Sequence, residues 1–462
     1  MIPFLRKNSL TDDSELVPEI KKVWAIAWPV ILTNLLNVTV GIIDFKMVGV
    51  LGVAPLAAVG ISRQVIMFMM VLMIAISGGS SVLIAHAYGA RDFSKVSQIA
   101  TRSLFFMLLT ALFIVTPIGI AFSRNILVIL GAKDQVTELG NSYLRLLMAG
   151  SIFTMFNFAI TAILLGVGKT KISLYLLLGV NLLNIPFNYL LIFGIGPFPA
   201  LGVSGAALGT VMARALGSLA GIWIITTPKL PIKVKFRNGS LWDFKLLHKI
   251  IYLGGPRSLQ GIVRNLSRLI IIRIITLLPD ATRAISAFSV GMQVRNISSF
   301  IGIAFMSASI VRVGQNMGRR KQDLAEKSGW VAAGMALVIM TFMALLFFLF
   351  PAAIMKFFTT DSEVITMGKN FFIIIAISEP VMAFAFALGG ALRGGGDPIS
   401  PFIYASLSDL FFVIIAGYLL AIQFQAGFNG IAIAITLSAF TRALPSLWKF
   451  RQGEWKKNRL DH

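Results

Sequence analysis

Residues 28–49 read WPVILTNLLNVTVGIIDFKMVG. Between Pro29 and Lys46 the stretch is mostly apolar, with no cation and a single acid, Asp44. It is continuous, without alternation at every second residue. About 20 such residues cross a bilayer as a helix, so the stretch reads as a transmembrane helix and not as a barrel strand. Asn34, Asn37, Gly41 and Asp44 follow at steps of three, four and three residues, which places all four on one helical face. A carboxylate at mid-membrane costs about 3 kcal/mol or more, so Asp44 needs a reason to be there.

The rest of the chain fits that environment. Its 462 residues are 57% hydrophobic and only 13% charged. An ordinary soluble domain is about one-quarter charged, and a disordered chain is poorer still in apolar residues. With Cys 0 and His 3, disulfides, thiolate zinc sites, cysteine nucleophiles and histidine-built metal centres drop out. Lys+Arg 41 against Asp+Glu 19 leaves +22. In a membrane protein that excess marks basic cytoplasmic loops beside anionic lipid, not nucleic-acid binding.

Apolar runs recur at 20–46, 55–84, 96–122, 137–165, 171–195, 203–227, 248–278, 284–312, 327–356, 366–393, 399–423 and 430–449. The expected fold is therefore an all-α polytopic membrane protein with twelve transmembrane helices in two six-helix bundles. The expected divisions are a cytoplasmic N-terminus 1–19, an N-lobe 20–227, a basic cytoplasmic linker 228–247, a C-lobe 248–449 and a cytoplasmic tail 450–462. The linker carries Lys229, Lys233, Lys235, Arg237 and Lys245. Lys21 and Lys22, Arg91 and Lys95, Lys169 and Lys171, Arg319 to Lys321 and the C-terminal cations fall on the linker's side of the membrane. By the positive-inside rule both termini are cytoplasmic. No cleavable signal peptide is expected, because residues 1–22 are polar.

The halves repeat one another. Gln64-Val65 aligns with Gln293-Val294 and Gly89-Ala90-Arg91 with Gly318-Arg319-Arg320, both 229 positions apart. The turn Gly166-Val167-Gly168-Lys169 pairs with Gly394-Gly395-Gly396-Asp397, and Gly202-Val203-Ser204-Gly205 with Gly427-Phe428-Asn429-Gly430. Near-constant spacing across several anchors marks a duplicated bundle of six spans.

The fifth run carries a second amide stripe, Asn181, Asn184 and Asn188, and the sixth adds Ser204 and Thr210. Buried amides glue membrane helices together, which is one reading of these stripes. Asp44 asks for more. A desolvated carboxyl can load and release a proton, or with amide oxygens around it can hold Na⁺. In the second half Glu379 and Asp409 also fall inside runs, and Asp409 occupies the repeat position of Asn181. Arg264, Arg268, Arg273 and Arg295 lie in the same half, so pairing and ion or substrate handling both stay open. Glu379 precedes Pro380, which suits a kink.

These features together resemble the multidrug and toxic compound extrusion (MATE) family. The likeness rests on Trp28-Pro29 with Asp44 fifteen residues beyond, Leu56-Ala57-Ala58-Val59-Gly60, Tyr88-Gly89-Ala90, Asn184-Ile185-Pro186-Phe187-Asn188-Tyr189, Gly202-Val203-Ser204-Gly205-Ala206 and Leu392-Arg393-Gly394-Gly395-Gly396-Asp397. It implies a V-shaped pair of lobes related by pseudo-twofold symmetry. It implies alternating access and export of amphipathic, usually cationic, drugs in exchange for H⁺ or Na⁺. Asp44 with Asn37, Asn184 and Asn188 would carry the ion, a Na⁺ falling to Asp44 and Asn184. The substrate candidates are Asn34, Gln64, Asn181, Thr210, Gln293, Glu379 and Asp409. Where Asn188 stands, some prokaryotic members have Asp, so a mechanism with two acids in the N-lobe is not expected. The chain is expected to be a monomer of the inner membrane, with membrane lipids and drugs as partners, no cofactor, no enzymatic activity and no nucleic acid. A flippase for lipids or lipid-linked oligosaccharides is the alternative that the arginines favour.

Overall fold

The computed structural model describes residues 13–227, 242–458 and 460, and among them there is no strand. The linker cations Lys229, Lys233, Lys235 and Arg237 lie outside the described residues. In chain order the helices of the first half are α1 (Asp13–Gly49), α2 (Val53–Gly89), α3 (Phe93–Thr110), α4 (Thr116–Ile129), α5 (Asp134–Ala149), α6 (Ser151–Gly166), α7 (Thr170–Phe193) and α8 (Gly202–Thr226). The second half has α9 (Phe244–Ile275), α10 (Ala281–Gly318), α11 (Gln322–Leu349), α12 (Pro351–Lys356), α13 (Ser362–Ala376), α14 (Ser378–Gly394), α15 (Ile399–Ser408) and α16 (Gly427–Gln452). A π-helical turn, Ala111–Val115, joins α3 to α4, and two more, Asp409–Ala416 and Leu419–Gln423, extend α15.

Among the described residues 9 helical stretches are long and apolar enough to cross a membrane, or up to 11 with the two bent pairs α5–α6 and α13–α14. The twelfth is α9. Its 32 residues reach about 48 Å, but Arg257, Arg264, Arg268 and Arg273 keep it from reading as purely apolar. The two bent pairs occupy matching places in the repeat, and each turns by 51°. The first breaks at Gly150, where an added Cβ would meet Val211 at 2.4 Å, so the bend brings α8 against bare backbone. The second breaks at Ile377, just before Ser378-Glu379-Pro380, where proline removes a helical donor.

The chain packs as two compact units, and their borders fall inside helices. Leu32–Ser258 forms one, and Leu259 onward, together with the chain before Leu32, forms the other. The first part of α1 thus belongs to the unit that holds α10 to α16, and the first part of α9 to the unit that holds α2 to α8. Pro29 and Pro256 stand just before the two crossover points, at repeat-equivalent positions.

Different contacts secure the two exchanged segments. Glu19 is buried, and the Arg312 guanidinium grips it with Nε 2.8 Å and Nη2 2.7 Å from its two carboxylate oxygens. Ser328 donates to the same carboxylate at 2.7 Å. Residues 13–19, expected as part of a polar tail, are therefore helical, and Glu19 is a buried acid that the composition of the tail hides. On α9 the contact is apolar and very close. A Cβ on Gly254 would lie 1.8 Å from the Ala75 carbonyl oxygen, and one on Gly79 only 1.9 Å from that of Ile250. Only glycine permits backbones to approach so near, as at many membrane helix interfaces.

Candidate functional site

In the unit Leu32–Ser258 the two polar stripes meet. The three asparagines of α7 recur every three to four residues, so they share a face, and all three are buried. Pro186 lies between the last two without interrupting α7. Asn188 Nδ2 donates to Asp44 Oδ1 at 2.8 Å and to Asn184 Oδ1 at 3.3 Å. Asn184 Nδ2 donates to Thr210 Oγ1 at 3.2 Å, and the Thr210 hydroxyl donates to the Ala206 carbonyl oxygen at 2.8 Å. The result is one connected chain of hydrogen bonds across α1, α7 and α8, with donation running outward from the Asn188 amide to the Asp44 carboxylate on one side and through Asn184 to Thr210 on the other. Gly209 makes it possible, because a Cβ there would sit 2.3 Å from Asn188 Oδ1.

Two oxygens in this chain keep spare capacity. Asn188 Oδ1 is buried and has no hydrogen-bond partner. Asp44 is half-buried and makes no ion pair with a described residue, so its second oxygen is uncommitted. Together with Asn184 Oδ1 and Thr210 Oγ1, these atoms form an all-oxygen set with one negative charge. Among the described residues no group of three or more His, Asp and Glu lies together.

Three further groups surround Asp44 that the acid-and-amide pattern did not single out. Arg214 on α8 donates to Thr154 at 3.0 Å, and its charge acts on Asp44 through space. Arg63 on α2 lies over the Phe45 ring, 6.0 Å from its centre, and also acts on Asp44. Tyr143 on α5 is the third. The signal for the arginines is plain in the sequence: each is a charge inside an apolar run, the criterion that picked out Asp44.

The other predicted residues divide. Asn181 is buried but its Nδ2 has no partner, and it stays outside the hydrogen-bonded chain. Asn34 is half-buried on α1, whereas Asn37, Gln64 and Gln293 are exposed and make no hydrogen bond to a described side chain. In the other unit Glu379 and Asp409 are buried and paired. Arg295 Nε donates to Glu379 Oε1 at 3.0 Å, and Ser298 donates to Glu379 Oε2 at 2.5 Å. Asp409 accepts from Arg442 Nη2. Arg442, on α16, was not among the arginines expected as partners.

Comparison with known proteins adds a family. The family model described as MatE matches twice, over residues 29–190 and 256–419, once in each half. The Thermotoga maritima protein named "Probable multidrug resistance protein NorM" is 28% identical over 460 residues, covering 98% of this chain and 96% of that protein. A Bacillus subtilis protein, "Uncharacterized transporter YisQ", is 25% identical over 94% of both chains. Among solved structures, a MOP superfamily transporter from Pyrococcus furiosus, described as having a binding pocket of reverse polarity that suggests a different function, superposes with a TM-score of 0.87 at 21% identity. That match covers 96% of this chain and 97% of the other. A multidrug resistance MATE family transporter in an outward-facing conformation gives the same score, identity and coverage.

Proposed function

Because this chain belongs to the MatE family of membrane transporters, we propose that it is a secondary antiporter. It exports amphipathic organic compounds, drugs and organic cations among them, in exchange for H⁺ or Na⁺. One observation carries the coupling assignment. Asp44 is hydrogen-bonded to an amide and not to a guanidinium, so its charge is available to an incoming ion.

When Asp44 is ionised it can only accept, and Asn188 must present both amide hydrogens to Asp44 and Asn184. When Asp44 takes a proton it becomes a donor, and Asn188 Oδ1, on the same amide that now donates to it, is a buried acceptor without a partner. A Na⁺ would draw on the same oxygens. Either event forces Asn188 to exchange partners and so changes how α1 packs on α7. A ligand shifts a conformational equilibrium only by binding two states unequally, and this exchange supplies the inequality. Arg63 and Arg214 oppose a bound cation at longer range, which favours release after each cycle. The drug-resistance names of the relatives and the basic loops support an inner-membrane exporter with cytoplasmic termini.

The test is transport in proteoliposomes under an imposed H⁺ or Na⁺ gradient. Asp44→Asn should take up a cationic dye no faster than protein-free vesicles. Wild-type rates in the variant under both gradients would overturn the assignment.

A second reading is a flippase for lipid-linked phosphates, and the guanidiniums of the other unit favour it. That reading expects phospholipid scrambling or flipping without an ion gradient, measured with fluorescent lipid in the same vesicles.

A further inference from the structure

In the unit beginning at Leu259 several charges act on one another. Arg264 stands in the middle part of α9, Arg295 in α10, Glu379 at the α13–α14 break, Asp409 where α15 passes into its π turn, and Arg442 in α16. Asp409 feels Arg442, Arg264 and Arg295 together. Three guanidiniums therefore share one neighbourhood with two carboxylates, and one positive charge is left over.

The hydrogen bonds show where the excess lies. Glu379 is fully used, one oxygen by Arg295 and the other by Ser298. Asp409 holds Arg442 through Oδ1 alone, and Asp409 Oδ2 is buried without a partner. Arg442 Nε is likewise buried and unpartnered. Arg264 interacts with Asp409 only through space, makes no hydrogen bond to a described residue, and is exposed although it stands within the apolar run of α9. An unpaired guanidinium within a span is costly and marks a functional site by default. The π turn that begins at Asp409 belongs to a class of helical irregularities frequent at such sites. The corresponding place in the other half is Asn181, an uncharged amide, so the charges are not a demand of the repeated fold.

We infer that Arg264, together with the unpartnered Nε of Arg442, forms a binding site for an oxyanionic group: a carboxylate or phosphate on an amphipathic molecule. A guanidinium presents parallel N–H donors at the spacing of two such oxygens and pairs with them bidentately. The unpartnered Asp409 Oδ2 favours a ligand with a hydroxyl or ammonium donor next to its anionic group. This deepens the transport reading by naming a substrate class, organic anions and zwitterions, but the site itself is measurable without transport.

Full-length protein in phosphatidylcholine nanodiscs would be titrated with 1-naphthoate, 1-naphthyl phosphate and, as the cationic counterpart, 1-naphthylmethylamine. A fourth arm would replace part of the phosphatidylcholine with phosphatidylglycerol and read competition with the naphthyl probes. Wild type should bind at least one anionic probe ten times or more tighter than the amine. Arg264→Gln should lose that preference, Arg264→Lys should keep part of it, and Arg451→Gln, a cation removed elsewhere, should leave it intact. Competition by phosphatidylglycerol that Arg264→Gln abolishes assigns the oxyanion to a lipid headgroup; its absence assigns it to a soluble compound. Equal binding of anion and amine by wild type, or equal losses in the Arg264 and Arg451 variants, would overturn the site. Because no gradient is present, a failure of Asp44 to couple leaves this result untouched, and the reverse also holds.

Discussion

The two compact units repeat one architecture, down to a 51° break in the fourth span of each, yet they treat the carboxylates within their helices in opposite ways. In one, Asp44 is held by Asn188, a neutral donor, while Arg63 and Arg214 stay beyond ion-pair contact. In the other, Glu379 and Asp409 each take a guanidinium directly. A neutral donor stabilises a carboxylate without cancelling its charge, so the acid can still trade a proton or a cation. A guanidinium cancels it, and what then remains reactive is the surplus arginine. The duplicated fold thus supplies two similar frameworks, and the hydrogen-bond partner decides the polarity of each.

The largest expected effect tests this directly. Asp44→Asn should abolish gradient-driven transport, whereas Glu379→Gln should keep its dependence on the coupling ion, since the amide oxygen still accepts from Arg295. If both variants lose ion dependence alike, the contrast between the units is wrong. Next is Arg442→Met. Removing one partner of a buried pair leaves an uncompensated charge and costs about 3–5 kcal/mol. Thermal unfolding in detergent should show that loss, and adding Asp409→Leu should recover most of it. Failure of the second change to rescue would mean that Arg442 acts chiefly by packing.

Asn188→Ala comes third. It removes the one side-chain hydrogen bond that Asp44 makes among the described residues and strands the Asn184 oxygen, for a cost of about 1–3 kcal/mol. Its transport should retain substrate binding but show a changed pH or Na⁺ dependence; an unchanged profile would reduce the amide chain to structural glue. The smallest effect concerns Asp361, which caps α13 outside the membrane. Val364 N–H, and then Glu363 N–H and Arg283, hold its carboxyl below the ordinary aspartate range. A folded-state value below the unfolded one stabilises the protein above the usual aspartate pKa of about 4. That stabilisation fades as pH falls through the lowered value. The gap in melting temperature between wild type and Asp361→Ala should therefore narrow between pH 6 and pH 3; a constant gap would show that the cap works without its charge.

Several of these residues could be read before any coordinates. Asp44, Asn184, Asn188 and Thr210 were legible because a helix converts spacing into a face, and an acid in an apolar run is conspicuous. The kink before Pro380 was legible for an equally local reason: proline has no N–H to donate. Other features were not. Glu19 sits beside Lys21 and Lys22, where a polar segment looks solvated, and only α10 and α11 bury it. Arg442 lies 33 residues beyond Asp409, and neither sequence position selects the other. Asn37 and Gln64 share a polar stripe and a repeated motif with better-placed residues, but a face is about 100° wide and its margin points away from the partner helix.

By itself the sequence determined that the chain spans a membrane many times as helices, that its halves are duplicates, and that very few acids lie within the spans. Hydropathy, helical period and repeat spacing are local or self-referential, so they need no fold to be read. Tertiary structure decided the rest: which helix halves belong to which unit, which acids meet an amide and which a guanidinium, and that Arg264 makes no ion-pair contact among the described residues. Those outcomes depend on approaches between residues far apart in the chain. Some of them, such as Gly79 against Gly254, are settled by the absence of a single carbon atom.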